Sequence, residues 1–232
     1  MKNMNDNDVI FDQRSDGLNA FFSKIYALMG AGVLVSALVS WIMITFFLDN
    51  MTAILQSGSL FFLVLWIIPL VMVVSLQGLA MKNSKMALPI FIGYAAFMGF
   101  LISFTLLMYT ATDITLAFVT AAAMFFGLSV YGRFTKRNLS AMGKAFGVAV
   151  WGLIIAMLLN LFFASSGLTI LISLVGVVIF AGLIAWDNQK ITQVYNANNG
   201  QVSDGWAISM ALSLYLDFIN MFLFLLRLFG IA

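Results

Sequence analysis

Residues 145–186 read AFGVAVWGLIIAMLLNLFFASSGLTILISLVGVVIFAGLIAW, and this stretch decides the fold. It contains two apolar runs, Ala145–Gly167 and Leu168–Trp186, which meet at the short polar segment Ser165-Ser166-Gly167. A membrane-spanning helix needs about 20 apolar residues, because a rise of about 1.5 Å per residue must cover about 30 Å of hydrocarbon. The stretch therefore predicts two spanning helices joined in a tight hairpin.

Five further runs of similar length and composition occur elsewhere in the chain. Most of their residues are Leu, Ile, Val, Phe, Ala and Met with scattered Gly, which suits helices that pack closely in lipid. Together with the hairpin they predict an all-α integral membrane protein with seven transmembrane helices. The five runs are Ile25–Leu48, Ser59–Met81, Met86–Thr110, Ile114–Gly132 and Trp206–Leu226.

The composition of the 232 residues agrees with a membrane protein. Hydrophobic residues make up 63% of the chain, charged residues only 9%, and the mean hydropathy is +1.06. A soluble domain carries roughly 25% charged residues. Cysteine and histidine are absent, which excludes disulfides, thiol catalysis and Cys/His zinc sites. The net charge of +2 is too small to indicate nucleic acid as a partner.

The basic residues predict the orientation of the chain in the membrane. In a seven-span arrangement, ten of the eleven fall on one side, which the positive-inside rule makes cytoplasmic, together with the N-terminus. Residues 1–20 form a polar leader that we expect to be cytoplasmic and disordered, and residues 21–232 form the transmembrane domain. Short loops suit a bacterial plasma membrane. The ten residues are Lys2, Arg14, Lys24, Lys82, Lys85, Arg133, Lys136, Arg137, Lys144 and Lys190.

Two aspartates are the acidic candidates inside the bilayer. Asp187 ends the sixth run and Asp217 lies in the middle of the seventh. A charged group at mid-membrane costs at least about 2.5–3.5 kcal/mol, so buried ones usually have a function. If the sixth helix continues to Tyr195, the polar connection 196–205 leaves the two carboxyls at depths that differ by only roughly 5 Å.

Two carboxylates close together in a medium of low dielectric constant cannot both ionise cheaply, so the pair shares a proton and responds to pH. When deprotonated, the same oxygens suit Ca²⁺ better than a soft metal, and Ser213 and Asn220 could add oxygen ligands. Two plainer interpretations stay open. Asp187 could be solvated at a helix end, and Asp217 could make a structural hydrogen bond to Asn160 or a tyrosine.

Three segments resemble the Bax inhibitor family, the transmembrane Bax-inhibitor-motif proteins, including its bacterial members. The longest is residues 210–230, MALSLYLDFINMFLFLLRLFG, which is similar to the closing signature of that family. Residues 128–140 contain LSVYG and TKRNLS, and residues 185–191 read AWDNQKI. Trp186 stands where tyrosine is common, and Asn138 where aspartate is common. The resemblance covers essentially the whole chain after the leader.

The resemblance implies a seven-helix fold with a central seventh helix and a pH-sensitive calcium leak. It places Asp187 and Asp217 at the positions of a proton-sensing pair on the sixth and seventh helices. It also implies a basic latch at the cytoplasmic end of the second helix, where Lys82 is the nearest residue. An arginine is usual there, so a lysine would form a weaker, non-bidentate latch.

The leading hypothesis is therefore a calcium leak channel in the lipid bilayer that is gated by protonation of the pair, so that its expected partners are Ca²⁺ and protons, and that needs no cofactor. The alternative is a non-conducting regulator that binds a membrane protease or a quality-control complex through its acidic leader and basic loops. We do not expect an enzyme, since Leu214-Tyr215-Leu216 precedes Asp217 where intramembrane aspartyl proteases carry Gly-x-Gly. A secondary transporter stays open, although no inverted repeat is evident.

Overall fold

The computed structural model describes the backbone of residues 6–56 and 59–230, and the side-chain surroundings of residues 15–55, 65 and 67–230. These residues form helices and short connections, without a strand in the described ranges. The all-α prediction is confirmed. The helices are α1 (Asp6–Phe46), α2 (Leu48–Gln56), α3 (Ser59–Met81), α4 (Ala87–Leu106), α5 (Ala111–Phe134), α6 (Ser140–Phe163), α7 (Ser166–Ala197) and α8 (Asp204–Phe229).

Six of these helices are long and apolar enough to cross a membrane: α1 from Ser15, then α4, α5, α6, α7 and α8. In α3 the apolar part with described side-chain surroundings is the shorter segment Ile67–Met81. The count of seven spans therefore stays a prediction. The nine-residue helix α2, which follows the first run, was not anticipated from the sequence.

The hairpin between α6 and α7 has the short connection that the sequence predicts. Ala164 ends α6 in a left-handed conformation with φ of 45°. Ser165 then caps α7, since its side-chain oxygen accepts a hydrogen bond of 3.3 Å from the amide of Leu168. One residue thus reverses the chain direction and the next begins the following helix.

Helix α1 begins at Asp6, so it extends into the leader that we expected to be disordered. The part with described surroundings packs against the end of α7. Phe22 is buried, and a Cβ atom at Gly17 would overlap the hydroxyl of Tyr195. The helix continues through residues 20 and 21, and the division into a leader and a transmembrane domain stays a prediction.

Contacts between distant segments show which connections lie at the same end of the bundle. The start of α1, the α3–α4 and α5–α6 connections and the α7–α8 connection meet there, and these segments carry the basic residues that predict the cytoplasmic side. Helix α1 begins at this end of the bundle and runs away from it, whereas α3 ends at this same end. The contacts therefore favour a chain that returns across the membrane through α3. The contacts are Lys24–Asp204 at 2.5 Å, Arg133–Asn19, Leu139–Gln189 at 2.8 Å and Gly205–Asn83 at 2.9 Å.

Helix α8 lies at the centre of the bundle and packs against α7, α5, α1, α3 and α4. Of the 18 most apolar consecutive residues of α8, 78% are buried. The corresponding fraction is 6% in α6, which packs mainly on α7. The seventh apolar run is therefore the central helix, as the resemblance implies. A polar side chain on most faces of α8 is surrounded by protein, so Asp217 is held away from both water and lipid.

Candidate functional site

Asp187 on α7 and Asp217 on α8 are both buried, each with only 6% of its surface exposed. Their carboxyl groups lie within hydrogen-bonding reach of each other. This proximity depends on α7 continuing to Ala197, ten residues past Asp187, so that the α7–α8 hairpin sets both aspartates at a similar level. The structure thus brings together the two residues singled out from the sequence.

The contact between the two carboxyls constrains their protonation. An ionised carboxylate only accepts hydrogen bonds, so two ionised groups cannot bond to each other. The Oδ2 atom of Asp217 is buried and has no hydrogen-bond partner among the described residues. A proton held between Asp187 and Asp217 would turn this contact into a hydrogen bond.

The other residues expected around the pair are more dispersed. Ser213 and Asn220 are half-buried on α8, and the Nδ2 atom of Asn220 donates to the Leu216 carbonyl of its own helix over 2.8 Å. Lys82 is exposed next to the end of α3, and no ion pair in the described part of the chain joins it to either aspartate. The latch implied by the resemblance is not formed in this structure.

Asn160 is held elsewhere, at the turn between α6 and α7. Its Nδ2 atom donates to the Thr169 hydroxyl over 2.8 Å, and its Oδ1 atom accepts from the amide of Ser165 over 3.2 Å. The tyrosine nearest in sequence to Asp217 is also occupied, because the hydroxyl of Tyr215 shares a hydrogen bond of 2.7 Å with Ser36 on α1. Neither side chain provides the structural partner for Asp217 that the sequence left open.

Asn188 follows Asp187 directly, and no pattern in the sequence marks it as part of the site. It is fully buried and links three helices. Its Oδ1 atom accepts a hydrogen bond of 2.5 Å from the hydroxyl of Tyr26 on α1, and its Nδ2 atom donates to Ser129 on α5 over 3.1 Å. These bonds fix the rotation of α7 about its axis and therefore the direction in which Asp187 points.

Gln189, the next residue, fastens α7 to the connection between α5 and α6. Its Oε1 atom accepts from the amide of Leu139 over 2.8 Å, and its Nε2 atom donates to the Arg137 carbonyl over 2.7 Å. Asn188 and Gln189 could be recognised in the sequence only by their position directly after Asp187, if α7 is taken to continue past that aspartate. Three successive residues point in three directions about 100° apart, so burial of all three requires neighbours on every side.

Glycine allows α7 to approach its neighbours closely at the level of the pair. A Cβ atom at Gly132 on α5 would overlap the carbonyl oxygen of Ala185, and one at Gly143 on α6 would overlap the ring of Trp186. Small residues at helix contacts allow this kind of packing in lipid, where burial of apolar surface gives little driving force between helices. Asp187 is therefore held in a tightly packed segment.

The described residues include no group of three or more acidic, histidine or cysteine side chains that could hold a metal ion. A Ca²⁺ ion takes six to eight oxygen ligands, of which two aspartates supply at most four. The pair does not fit a resident calcium site by itself. A calcium ion at this position would be a passing ion that keeps part of its hydration shell.

Comparisons with known proteins agree with this architecture. The family model described as "Inhibitor of apoptosis-promoting Bax1" matches residues 18–232. The chain is 98% identical over 229 residues to YrjE of Lactococcus lactis subsp. lactis, covering 99% of this chain and 98% of the relative. A Streptococcus pyogenes serotype M3 membrane protein is 49% identical over 227 residues, covering 98% and 99%.

A more distant relative is the inner membrane protein YbhL of Escherichia coli K12, which is 34% identical over 221 residues and 92% of each chain. Six apolar helices of spanning length and relatives named as membrane proteins identify the chain as a multi-pass membrane protein. The family match over residues 18–232 covers the helical bundle from residue 18 onward, including both buried aspartates. The chain is therefore a member of the Bax inhibitor family.

Proposed function

We propose that this chain is a pH-sensitive calcium leak channel in which the contact between Asp187 and Asp217 controls opening. The observation that carries the proposal is the burial of both carboxyls, in reach of each other, where α7 meets the central helix α8. A purely structural role would be served more cheaply by apolar side chains, because burying two acids in a membrane protein is costly.

The proposed gate works through the number of protons that the pair holds. With one proton shared, a hydrogen bond joins α7 to α8. Loss of that proton leaves two negative charges side by side, and a second proton removes the charge-assisted bond, so either change weakens the contact. A two-state element of this kind needs a difference of only a few kcal/mol between its states, and each unit of pKa shift corresponds to about 1.4 kcal/mol.

Calcium is the ion that the oxygen donors favour. Carboxylate, amide and hydroxyl oxygens are hard ligands, which bind Ca²⁺ in preference to softer metals. A leak channel needs sites that bind the ion strongly enough for it to enter and weakly enough for it to leave. Two aspartates without a third acidic neighbour in the described residues meet both conditions.

The test measures Ca²⁺ flux into proteoliposomes that contain the full-length chain, across a range of pH. We expect Asp187→Asn and Asp217→Asn each to abolish the pH dependence, because an amide cannot gain or lose the proton. Asp49→Asn, which changes an exposed aspartate of α2, is the matched control and should keep the wild-type profile. An unchanged pH profile in both pair variants would refute the gate.

A second function is favoured by a different observation, the fixed basic surface at the α5–α6 connection. Three basic side chains are exposed in this connection and at the start of α6: Lys136, Arg137 and Lys144. The hydrogen bonds of Gln189 hold the connecting backbone in place. Such a surface suits anionic lipid headgroups or the acidic face of a membrane-protein partner. In this alternative the chain is a non-conducting regulator. Neither function makes the chain an enzyme.

A further inference from the structure

We propose that an anionic phospholipid binds where the α5–α6 connection packs on α7, with its phosphate headgroup on the cations there and its acyl chains on the apolar surface beside them. Four cationic side chains surround this place and form the basic corner: Lys136, Arg137, Lys144 and Lys190. The proposal goes beyond the leak and does not depend on it, because lipid binding requires neither the aspartate pair nor a passing ion.

The side chain of Gln189 holds the backbone of the α5–α6 connection on α7. It bonds the amide of Leu139 over 2.8 Å and the carbonyl of Arg137 over 2.7 Å. Helix α5 ends at residue 134 and α6 begins at residue 140, so the connection is too short to extend far from the helix ends. The exposed side chains of Lys136 and Arg137 therefore stay close to the level at which α5 and α6 leave the hydrocarbon, where lipid phosphates lie.

Trp186 joins the start of α6 to the fourth cation. Its ring is seated against Gly143 on α6, where a Cβ atom would overlap it. The Nζ atom of Lys190 lies 5.0 Å from the centre of the same ring, within the range of a cation–π interaction. The ring therefore lies between Lys190 and the start of α6, which carries the exposed Lys144. A half-buried tryptophan at this level is typical of the membrane interface.

The positive charge of the basic corner is not neutralised by a carboxylate contact. The ion pair within 4.0 Å in the described part of the chain joins Lys24 to Asp204 and involves none of the four cations. Arg133 lies nearby in sequence but is engaged with α1, since its guanidinium lies 4.3 Å from the centre of the Phe22 ring and bonds Asn19. The corner thus presents several free cations on a backbone that is already fixed, which favours an anionic ligand.

The apolar side chains beside the corner indicate a lipid rather than an acidic protein. Phe134 immediately precedes the connection and is 70% exposed, and Tyr131, one turn earlier, is 47% exposed. On the first turn of α6, Met142 is 37% exposed. A phospholipid carries a negative headgroup and apolar chains in one molecule, so it matches both the cations and the side chains next to them. An acidic protein outside the bilayer would match the cations alone.

The experiment titrates phosphatidylglycerol, and in parallel phosphatidylcholine with the same acyl chains, into the full-length chain in non-ionic detergent. Native mass spectrometry counts the bound lipids and gives the dissociation constant of the tightest one. We expect phosphatidylglycerol to bind at least about fivefold more tightly than phosphatidylcholine. Lys144→Gln and Arg137→Gln should each weaken its binding about fivefold, the effect of one basic side chain near an anionic lipid surface. Lys144→Arg keeps the charge and should bind as the wild type does.

Two further variants separate a built site from diffuse attraction. Lys85→Gln removes an exposed lysine of the α3–α4 connection at the same end of the bundle and should leave the affinity for phosphatidylglycerol unchanged. Gln189→Leu removes no charge but frees the α5–α6 connection, and should weaken the binding. If a variant yields too little protein for titration, the rise in its thermal unfolding midpoint on adding phosphatidylglycerol, compared with that of the wild type, gives the same comparison.

Three results would overturn the site: equal affinity of the wild type for the two lipids, equal losses in Lys144→Gln and Lys85→Gln, or wild-type affinity in Gln189→Leu. Diffuse attraction requires neither a particular location nor a fixed backbone. Inorganic phosphate and polyglutamate, each at the concentration of the lipid, should not displace phosphatidylglycerol. Displacement by phosphate would make the free anion the ligand, and displacement by polyglutamate would assign the corner to an acidic protein, so either result would also reject the lipid.

Discussion

The hydroxyl of Tyr26 on α1 donates a hydrogen bond of 2.5 Å to the side-chain oxygen of Asn188 on α7. The amide nitrogen of the same asparagine donates to Ser129 on α5, so one fully buried side chain joins three helices beside Asp187. Buried polar networks whose members are bonded specify one arrangement of the helices around them. The orientation of Asp187 on α7 therefore depends on the residue that follows it in the chain.

Replacing this asparagine should destabilise the bundle. Asn188→Ala leaves Tyr26 and Ser129 without their shared partner, and we expect a loss of about 1–2 kcal/mol in the free energy of unfolding. Denaturant-induced unfolding in mixed micelles measures this quantity. Asn196→Ala, on the exposed end of the same helix, is the control and should change stability by less than about 0.5 kcal/mol. Equal stability of the two variants would mean that the network contributes nothing.

Two glycines of α5 allow a matched test of stability, because they lie on the same helix and differ in the space around them. A Cβ atom at Gly132 would overlap the Ala185 carbonyl, whereas no heavy atom lies within 4 Å of the same position at Gly127. We expect Gly132→Ala to destabilise by about 1–3 kcal/mol through overpacking. Gly127→Ala should be neutral or stabilise by up to about 1 kcal/mol, because alanine favours the helix. Thermal unfolding of both variants in one detergent gives the comparison, and similar losses at the two sites would contradict the close α5–α7 contact.

The two candidate functions differ in their need for the acidic leader. Deleting residues 1–14 removes Asp6, Asp8 and Asp12 and keeps Gly17 and the residues that pack on α7. A leak gated inside the bundle should retain its Ca²⁺ flux and pH profile in proteoliposomes after this deletion, whereas a regulator that binds through the leader should lose its partner. A full-length chain with the three aspartates changed to Asn distinguishes loss of charge from loss of length. Abolished flux in the deleted chain, with unchanged incorporation into liposomes, would count against the gate at Asp187 and Asp217.

Much of the helical architecture follows from the length of the apolar runs. The hairpin between α6 and α7 is visible in the sequence because a spanning helix needs a fixed number of apolar residues, and two such runs are interrupted only by Ser165, Ser166 and Gly167. The sequence does not predict the nine-residue α2, because it is a short amphipathic helix that starts where the first apolar run ends. The length of an apolar run gives no information about such a helix. Helix α1 begins in a stretch whose polar composition favours disorder, and the contact of Gly17 with Tyr195 on α7 lies between segments that are distant in the sequence.

The two aspartates could be identified from the cost of placing charge in a bilayer, but their surroundings could not. Asn188 and Gln189 look like the solvated end of a helix, since nothing in one sequence says that other segments cover that end. The resemblance implies Lys82 as the basic partner of the pair, whereas the exposure of Lys82 is visible only in the fold. Side-chain partners between distant segments depend on packing, which run length and composition do not encode.

The meeting of Gly132 with the Ala185 carbonyl also limits where an ion can travel. Two backbones touch there with no room for a methyl group, so a hydrated ion cannot pass between α5 and α7 at that level. The same holds between α3 and α8 where Gly205 meets the Ala80 carbonyl. If ions cross the bundle as proposed above, their route past the aspartates leaves these two seams closed.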